Sequence, residues 1–343
     1  MRIALDAMGT DNHPQPDVQG AVLAVQQTQG TVILVGDEKR IRRELEAYEY
    51  PSDSIEIVHA QEVITMDDKP SVVGKKKFNS SMHIGMNLVR DGSADGFVTA
   101  GNTGAAQAIA MLQSLRRIPG VKRPALSAIF PIHSELVMFL DAGANTDSKP
   151  EWLLQYAVMG SIYSKNVLKV EESRIGLLSN GEEEGKGNQL VAETRELLVN
   201  RTDLNFIGNI EPDGILNGDV DVVVTDGFTG NILIKTFEAT VRYVSNNIRD
   251  ELARSPVSIL GGLLSRGAFK RVRNRVDSFE VGGAPLLGVN GVVIIAHGRS
   301  DGRAIKNAIV QAQRAVEGNT VSIIAERVAE TRSDQDNLSG KAE

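Results

Sequence analysis

The chain of 343 residues contains no cysteine. This absence excludes disulfides, thiolate metal ligands and every mechanism that uses a cysteine nucleophile. Basic residues are fewer than acidic ones, and the net charge of −7 is unfavourable for binding nucleic acid. No apolar run approaches the roughly 18 residues that span a bilayer, and Met1–Asp6 is charged too early for a signal peptide. We therefore predict a cytoplasmic protein with no nucleic-acid partner.

The standard nucleotide-binding motifs are absent as well. No G-x-G-x-x-G occurs, and Gly181–Lys186 resembles a phosphate-binding loop only superficially, because its spacing differs and Gly187 follows the lysine. Lys186 is either a point charge for a phosphate group or a solvent-facing lysine after an acidic run. That run, Glu182–Glu184, has no His or Cys neighbours, so we predict neither a metal site nor a cofactor.

The segment Gly298–Gly302 matches the G-x-S-x-G pattern of α/β-hydrolases and lies between a predicted strand and a predicted helix. In those enzymes the triad histidine follows the serine, whereas the last histidine of this chain is His297. This order argues against a hydrolase triad and favours Ser300 as a helix N-cap. His297 ends a buried strand beside polar turns, so it is a candidate catalytic residue, with a structural histidine as the alternative.

Apolar runs and helical patterns alternate along the chain. Most runs are continuous, which is typical of strands that helices cover on both faces. The pattern predicts one α/β domain over residues 1–330, built as a three-layer α/β/α sandwich with a mostly parallel sheet, and a frayed tail over 331–343. A short polar link between the runs 126–130 and 136–140 predicts an antiparallel hairpin. The predicted strands are Ile3–Leu5, Thr31–Val35, Ile55–Val58, Gly96–Thr99, Leu126–Phe130, Leu136–Leu140, Ile175–Leu178, Asn205–Ile207, Val220–Val224 and Val292–Ala296. The predicted helices include Ala105–Leu115, Trp152–Tyr163, Leu190–Val199, Ile232–Leu252 and Ala304–Val316.

The motif Thr-x-Gly-x-Thr-Gly occurs twice, at Thr99–Gly104 and Thr225–Gly230, each time between a predicted strand and a helical pattern. Such a turn exposes unpaired N–H groups at a helix N-terminus and so favours an anion. The alternative is an ordinary strand–helix turn that needs glycine for its geometry. Polar residues follow other strands too, and ligands of open α/β sheets bind at the carboxyl ends of strands. We therefore expect these turns to converge on one cleft.

Residues 254–275 carry basic charge and no acidic residue within an acidic chain. Apolar residues lie between the basic ones, a pattern typical of a helix on an anionic membrane surface, with a subunit interface as the alternative. Gly261 and Gly262 predict a break between two helices. The predicted membrane contacts are Ile259, Leu260, Leu263, Leu264, Lys270 and Arg271.

A set of short segments, in order over nearly the whole chain, matches one enzyme family. The segments are Leu5–Gly9, Asn79–Met82, Ala100–Ala105, Arg123–Ala125, Leu140–Asn145, Asp226–Asn231, Gly283–Ala284 with Leu287–Gly288, and Ala296–Gly298. With these segments the chain resembles the bacterial acyl-acyl-carrier-protein:phosphate acyltransferases of phospholipid synthesis.

The resemblance implies transfer of a fatty acyl group from the thioester of acyl carrier protein to inorganic phosphate, which gives acyl phosphate. It also implies a fold similar to phosphotransacetylases and isocitrate-type dehydrogenases. The expected assembly is a homodimer that works at an anionic membrane surface or with a membrane acyltransferase. A short-chain phosphotransacylase that uses a coenzyme A thioester and a non-catalytic phosphate- or lipid-binding scaffold are the alternatives.

For this reaction we expect Lys186, His297 and Asn231 to be catalytic. Lys186 supplies counter-charge to phosphate, His297 donates a proton to the leaving sulfur, and N–H groups of the two turns hold the phosphate and the oxyanion. Because cysteine is absent and no serine is credibly activated, we expect direct transfer without an acyl-enzyme. The predicted substrate- and phosphate-binding residues are Asp6, Gly9, Asn102, Thr103, Gly104, Asp226, Gly227, Thr229 and Gly230.

Overall fold

An eleven-stranded sheet forms the centre of the molecule. The computed structural model describes residues 1–74, 76–133, 135–276 and 281–339, with side chains except in 273–276 and 331–339. The strands are Arg2–Asp6 (β1), Thr31–Gly36 (β2), Ile55–His59 (β3), Gly96–Thr99 (β4), Ala125–Ile132 (β5), Glu135–Leu140 (β6), Ile175–Leu178 (β7), Phe206–Ile210 (β8), Val222–Val224 (β9), Ala284–Leu287 (β10) and Val292–Ile295 (β11). Their order across the sheet is β3-β2-β1-β4-β11-β10-β5-β6-β9-β7-β8.

The sheet reverses its direction near the middle. The strands β3, β2, β1, β4 and β11 run parallel to one another. Strand β10 is antiparallel to both β11 and β5, and β6 is antiparallel to β5. Beyond β6, the strands β9, β7 and β8 run parallel to it. The carboxyl ends of β1, β4 and β11 therefore point to one edge of the sheet, and those of β6, β9 and β7 to the opposite edge.

Helices cover both faces of the sheet. Within β1, Ile3 and Leu5 pack into the apolar core on one face, whereas Ala4 packs into a separate core on the other. Burial on both faces explains the continuous apolar runs and confirms the predicted three-layer α/β/α sandwich. The α-helices are Gln15–Gln27 (α1), Glu38–Leu45 (α2), Pro70–Val73 (α3), Ser81–Arg90 (α4), Thr103–Ile109 (α5), Pro150–Tyr163 (α6), Gln189–Val199 (α7), Pro212–Asn217 (α8), Gly227–Leu252 (α9), Pro256–Leu264 (α10), Arg266–Val276 (α11), Gly302–Glu317 (α12) and Thr320–Ser339 (α13). Two π-helical segments, Ala110–Ser114 and Ser164–Leu168, continue α5 and α6.

Helix boundaries differ from the sequence prediction at three places. Gly261 and Gly262 lie inside α10, so the predicted break there is wrong; the chain leaves the helix at Ser265 instead. The N-cap of α12 is Asp301 rather than Ser300, because the Asp301 carboxylate accepts from Ala304 N. Helix α13 continues to Ser339, so the tail predicted to fray over 331–343 is helical up to that residue; residues 340–343 lie outside the described part.

The predicted hairpin is confirmed as the antiparallel pair β5–β6. Strand β10 is absent from the prediction, since its four residues include Pro285 and show no periodicity. This short strand nevertheless joins the two halves of the sheet and, with the hairpin, sets their opposite directions.

Candidate active site

The predicted site residues divide between two edges of the sheet. We call the edge where β1, β4 and β11 end the β4 edge, and the opposite edge, where β6, β9 and β7 end, the β9 edge. The turn Thr99–Gly104 follows β4, and the turn Thr225–Gly230 follows β9. Five strand spacings separate β4 from β9 in the sheet order, roughly 24 Å. The prediction that all these turns meet in one cleft is therefore wrong within a single chain.

At the β4 edge both polar atoms of the Asn102 side chain form hydrogen bonds within the protein. Its Oδ1 accepts from Ala105 N at 3.0 Å, and its Nδ2 lies 3.0–3.3 Å from three carbonyl oxygens of the segment 65–68. The N–H groups of Thr103 and Gly104 have no hydrogen-bond partner among the residues that the structure describes. Asn102 therefore fixes the turn, and two amides remain open at its surface.

Two buried carboxyl groups lie at the β4 edge. Asp6 accepts from Thr99 Oγ1 at 2.8 Å and from Met8 N at 3.1 Å, and burial raises its pKa above the usual value. Asp17, which the sequence analysis did not single out, accepts from Thr10 Oγ1 at 2.5 Å. Burial raises the pKa of Asp17 well above the usual value, and its Oδ1 has no partner in the described structure. No sequence pattern marks Asp17, because it lies within an ordinary amphipathic helix start.

The predicted residues Gly9 and His297 also lie at the β4 edge. A Cβ on Gly9 would stand 2.8 Å from the backbone nitrogens of Ala100 and Gly101, so glycine permits the close contact between two strand ends. His297 Nδ1 accepts from Arg299 N at 3.1 Å. Partial burial and the neighbouring Arg299 lower the pKa of His297, which favours the neutral ring near neutral pH. Because His297 follows β11, it lies at the opposite edge of the sheet from Lys186 and Asn231 within one chain.

At the β9 edge the N-terminus of α9 is already capped by the protein. The Asp226 carboxylate accepts from Phe228 N and Thr229 N at 3.0 and 2.9 Å, and from Thr229 Oγ1 at 2.7 Å. Gly227 N donates to the carbonyl of Asn145, and Gly230 N donates to that of Asp226. The expected cradle of free N–H groups is therefore not present in this turn. Asp226 acts here as a helix cap that occupies the position of an anion.

A buried carboxylate organises the adjoining loop Asp141–Asn145. The Asp141 carboxylate accepts from the backbone N–H groups of Leu126, Gly143, Ala144 and Asn145 and from Asn145 Nδ2, at 2.7–3.2 Å. Burial is the main influence on the pKa of Asp141 and raises it, while the hydrogen bonds act in the opposite direction. The loop is thereby held in one conformation.

This loop positions Asn231. The Asn231 Nδ2 donates to the carbonyl of Ala142 at 3.0 Å, which uses one of its two N–H bonds. In the described residues its second N–H and its Oδ1 have no partner, and the side chain is half-buried. Asn231 therefore presents a fixed amide N–H at the surface of the β9 edge.

Three glycines bring the loop and the turn into contact. A Cβ on Gly230 would stand 2.1 Å from the Asp141 carbonyl oxygen, and one on Gly227 would stand 2.6 Å from that of Asn145. Gly143 has φ +138°, and a Cβ there would approach Asn231 Nδ2 to 2.7 Å. Any larger residue at these positions would separate the loop from the turn.

Lys186 belongs to the neighbouring loop after β7. Strands β7 and β9 are adjacent and parallel, so the loop follows the same edge as the Asp226 turn. The stem of Lys186 lies over Gly181, where a Cβ would stand 2.6 Å from Lys186 Cγ, and the residue is exposed. Lys186 thus offers an exposed positive charge at the same edge of the sheet as the fixed amide of Asn231. Of the three residues predicted to be catalytic, the structure brings Lys186 and Asn231 to one edge and places His297 at the other.

Helices α10 and α11 carry the predicted membrane contacts at the surface. Ile259, Leu260, Leu263 and Leu264 are 56%, 58%, 64% and 79% exposed, and Lys270 and Arg271 are also exposed. No helix in the described ranges is long and apolar enough to cross a bilayer. Among the described side chains no group of three or more His, Asp and Glu is arranged around a metal position.

Sequence comparison gives consistent matches over nearly the whole chain. A family model described as "fatty acid synthesis protein" matches residues 1–323. The phosphate acyltransferase of Halothermothrix orenii is 45% identical over 330 residues, which covers 96% of this chain and 98% of that protein. The phosphate acyltransferase of Dictyoglomus turgidum is 46% identical over 317 residues, covering 92% and 94%.

Structural comparison identifies the fold. A phosphotransacetylase from Streptococcus pyogenes superposes with a TM-score of 0.62 at 19% identity, covering 92% of this chain and 94% of that one. A 4-hydroxythreonine-4-phosphate dehydrogenase from Klebsiella pneumoniae gives a TM-score of 0.53 at 14% identity, covering 92% and 99%. These identities are low, so the two matches support the three-layer fold and carry no functional argument here.

Proposed function

The chain belongs to the fatty acid synthesis protein family, and on this premise we propose that it is an enzyme that transfers an acyl group to inorganic phosphate. The observation that carries the proposal is 45% identity to a phosphate acyltransferase over 96% of the chain. The product is an acyl phosphate, an activated acyl group for the synthesis of phospholipids.

We place the acyl donor in the class of carrier-protein thioesters. Membership of a fatty acid synthesis family supports this choice, because fatty acyl chains are built as thioesters on acyl carrier protein. A coenzyme A thioester is the competing donor, and the rates of turnover with the two donors distinguish them.

The β9 edge offers the chemistry that the transfer needs. Phosphate is already substantially dianionic near neutral pH and needs positioning more than a strong base. A thiol of pKa about 8.5 leaves readily as the thiolate. In the proposed mechanism a phosphate oxygen attacks the thioester carbon, a tetrahedral oxyanion forms, and the C–S bond then breaks to release the thiolate.

Two residues stabilise the charge that develops in this reaction. Lys186 lies beside the phosphate as counter-charge, and the free N–H of Asn231 donates to the oxyanion. Asp226, Gly227, Thr229 and Gly230 shape the turn that carries Asn231, rather than binding the anion through their own N–H groups. His297 is not required, since the sulfur leaves without a proton.

The residues of the β4 edge have a supporting role in this mechanism. Asp6, Gly9 and Asn102 use their polar groups or their small size to hold strand ends and a turn together. Thr103 and Gly104 present open amides that the proposed mechanism does not use.

The decisive assay incubates the purified protein with phosphate and a fatty acyl thioester of either acyl carrier protein or coenzyme A. Acyl phosphate and free thiol are measured together. We expect both products in equal amounts with the carrier-protein donor; absence of acyl phosphate with either donor would refute the function. Faster turnover with coenzyme A would assign the donor to the alternative class.

Variants test the assignment of the β9 edge. We expect Asn231→Asp to lower kcat about 100-fold, because it removes a donor to the oxyanion and adds negative charge. We expect Lys186→Ala to raise the KM for phosphate and lower kcat. Asn200→Asp and Lys39→Ala, both at exposed positions elsewhere, are the matched controls. Unchanged kinetics in both β9-edge variants would move the site to another part of the protein.

We further propose that the enzyme is a homodimer that binds an anionic membrane surface from one side. Apolar side chains project from α9 and α10 into solvent, among them Tyr243 at 70% and Leu264 at 79% exposure. Exposed apolar area of this extent is typical of surfaces that another molecule covers. We assign α9 to a second copy of the chain, and α10–α11, with their basic residues, to the lipid surface.

A further inference from the structure

A second basic surface, separate from residues 254–275, lies at the β9 edge. Within residues 116–123 the chain carries four basic residues and no acidic one. We call this group the basic loop; it consists of Arg116, Arg117, Lys122 and Arg123, all of which are exposed.

Backbone contacts place the basic loop beside Asn231. Arg123 directly precedes Pro124, whose carbonyl accepts from Asn145 Nδ2 at 2.8 Å. Asn145 belongs to the loop that holds Asn231 through the Ala142 carbonyl. At the other end of the basic loop, the backbone of Arg117 pairs with that of Val289 in an isolated antiparallel β-bridge. Val289 lies in the connection between β10 and β11. That connection also lies at the β9 edge.

Among the residues that the structure describes, no carboxylate forms an ion pair with any of the four basic-loop side chains. Arg117 Nη1 donates to the Lys122 carbonyl, and Arg123 lies over the Trp152 ring at 5.2 Å from its centroid. These contacts hold the guanidinium groups of Arg117 and Arg123 without pairing them with a carboxylate of the described residues. Two acidic residues, Asp147 before α6 and Glu151 in its first turn, lie on either side of Lys149 in the sequence.

The apolar residues of this segment distinguish it from a membrane-binding surface. Ile118 and Val121 are 1% and 4% exposed, so they pack into the protein. A lipid-binding segment needs apolar side chains that reach the acyl boundary, as α10 has and the basic loop lacks. An exposed basic surface without large exposed apolar side chains suits an acidic protein surface.

We propose that the basic loop docks the acidic protein that carries the acyl thioester, so that the thioester reaches Asn231 and Lys186. This inference rests on the proposed function, since it names the contact surface of the proposed donor. It assigns carrier recognition to the β9 edge and leaves membrane contact to α10–α11.

Charge reversal tests the docking surface. The variant Arg116→Glu/Lys122→Glu changes two exposed side chains that form no hydrogen bond with the rest of the described structure. We expect the KM for the acyl-carrier-protein thioester to rise about tenfold, with kcat changed less than about twofold, because rim charges act on association. The KM of the native protein should rise with added salt, and that of the variant should depend on salt only weakly.

Two control variants distinguish loss of docking from a general effect of the charge change on the protein. Lys39→Glu/Arg43→Glu makes the same charge change on α2, at the far end of the sheet, and should leave the KM unchanged. The neutral variant Arg116→Gln/Lys122→Gln should give an intermediate KM. A carrier protein whose acidic surface residues are changed to lysine should bind the charge-reversed variant better than it binds the native protein.

The outcomes are distinguishable from failure of the proposed function. If the native protein makes no acyl phosphate, the function fails. If it does, and the charge reversal leaves the KM unchanged or lowers only kcat, the docking surface is refuted. Loss of sedimentation with anionic vesicles, at an unchanged KM for the carrier-protein donor, would assign the basic loop to lipid and also overturn the proposal.

Discussion

At the scale of single residues, a buried carboxylate and three glycines decide where Asn231 points. Asp141 receives hydrogen bonds from five N–H groups, and the glycines let its loop approach the start of α9. Neither feature touches the substrate in the proposed mechanism. Both act through the orientation of one amide, which makes Asp141 a positioning residue.

The replacement Asp141→Asn should disturb both stability and turnover. It turns an NH₂ group toward N–H donors, so we expect the free energy of unfolding to fall by about 2–3 kcal/mol. Because Asn231 loses its fixed position, kcat should fall more than KM rises. Urea titration and steady-state kinetics measure the two effects, and Asp147→Asn, an exposed change in an adjacent position, is the control. Loss of stability with unchanged kcat would contradict the positioning role.

The buried Asp17 predicts a dependence of stability on pH. Burial raises its pKa well above the usual value, so between the unfolded and folded pKa values the native state binds more protons than the unfolded state. The contribution of Asp17 to stability is therefore fully present at low pH and is lost as the pH rises through this window. Asp17→Asn removes this dependence.

Urea unfolding of the native protein and of Asp17→Asn at about pH 5 and about pH 8 measures the effect. The stability of the variant relative to the native protein should increase from the lower to the higher pH. A relative stability that is constant or that decreases with pH would show that Asp17 is ionised normally in the fold. Asp53→Asn, in an exposed turn, provides the comparison.

At the scale of elements, apolar pattern predicts strands well but does not predict their direction. Ten of the eleven strands follow from apolar runs such as Thr31–Gly36, whose length and composition are visible in the sequence. Strand β10 has four residues with a proline, so no pattern identifies it. The pairing of β10 between β11 and β5 reverses half of the sheet, and such long-range pairing leaves no local signal.

The same limit applies to the candidate site. The rule that ligands bind at the carboxyl ends of strands predicted that Lys186 and Asn231 lie beyond the ends of parallel strands, and the structure places them there. The same rule wrongly predicted that His297 and Asn102 lie in the same cleft, because the sequence does not show that β4 and β9 end at opposite edges of the sheet. Asp226 illustrates a further limit, since the residue that caps the helix also fills the expected anion position.

Helix α10 predicts a measurable membrane contact. The triple variant Leu260→Ser/Leu263→Ser/Leu264→Ser removes apolar side chains that are already exposed, so folding should be preserved. We expect sedimentation with anionic vesicles to fall strongly, because the buried apolar area drives such binding together with charge.

The matched control replaces three exposed apolar residues elsewhere, Leu112, Leu216 and Val199, with serine. This control should sediment with vesicles as the native protein does. If the α10 variant sediments with vesicles as the native protein does, a role of α10 is refuted; equal loss in the α10 variant and the control would indicate general adhesion of apolar surface instead.

At the scale of the whole molecule, the long helix α9 leaves most of its surface outside the core of its own chain. It has 26 residues, about 39 Å in length, and only Gly227 and Gly230 near its start are buried. Its inner side chains pack on the hairpin β5–β6, where Phe237 meets Phe130 edge to face with the ring centroids 5.8 Å apart. Much of its remaining length carries apolar residues into solvent.

A second copy of the chain covers this surface in the proposed homodimer. Val244 and Ile248 are 47% and 41% exposed and lie one helical turn apart on the same face. The variant Val244→Glu/Ile248→Glu places charges where two copies of α9 would meet, and we expect it to sediment as a single chain in analytical ultracentrifugation. Val199→Glu, an exposed apolar position on α7, should sediment like the native protein at twice the mass of one chain. A double variant that retains the native mass would exclude this face of α9 from the interface, and a native protein with the mass of one chain would exclude the dimer.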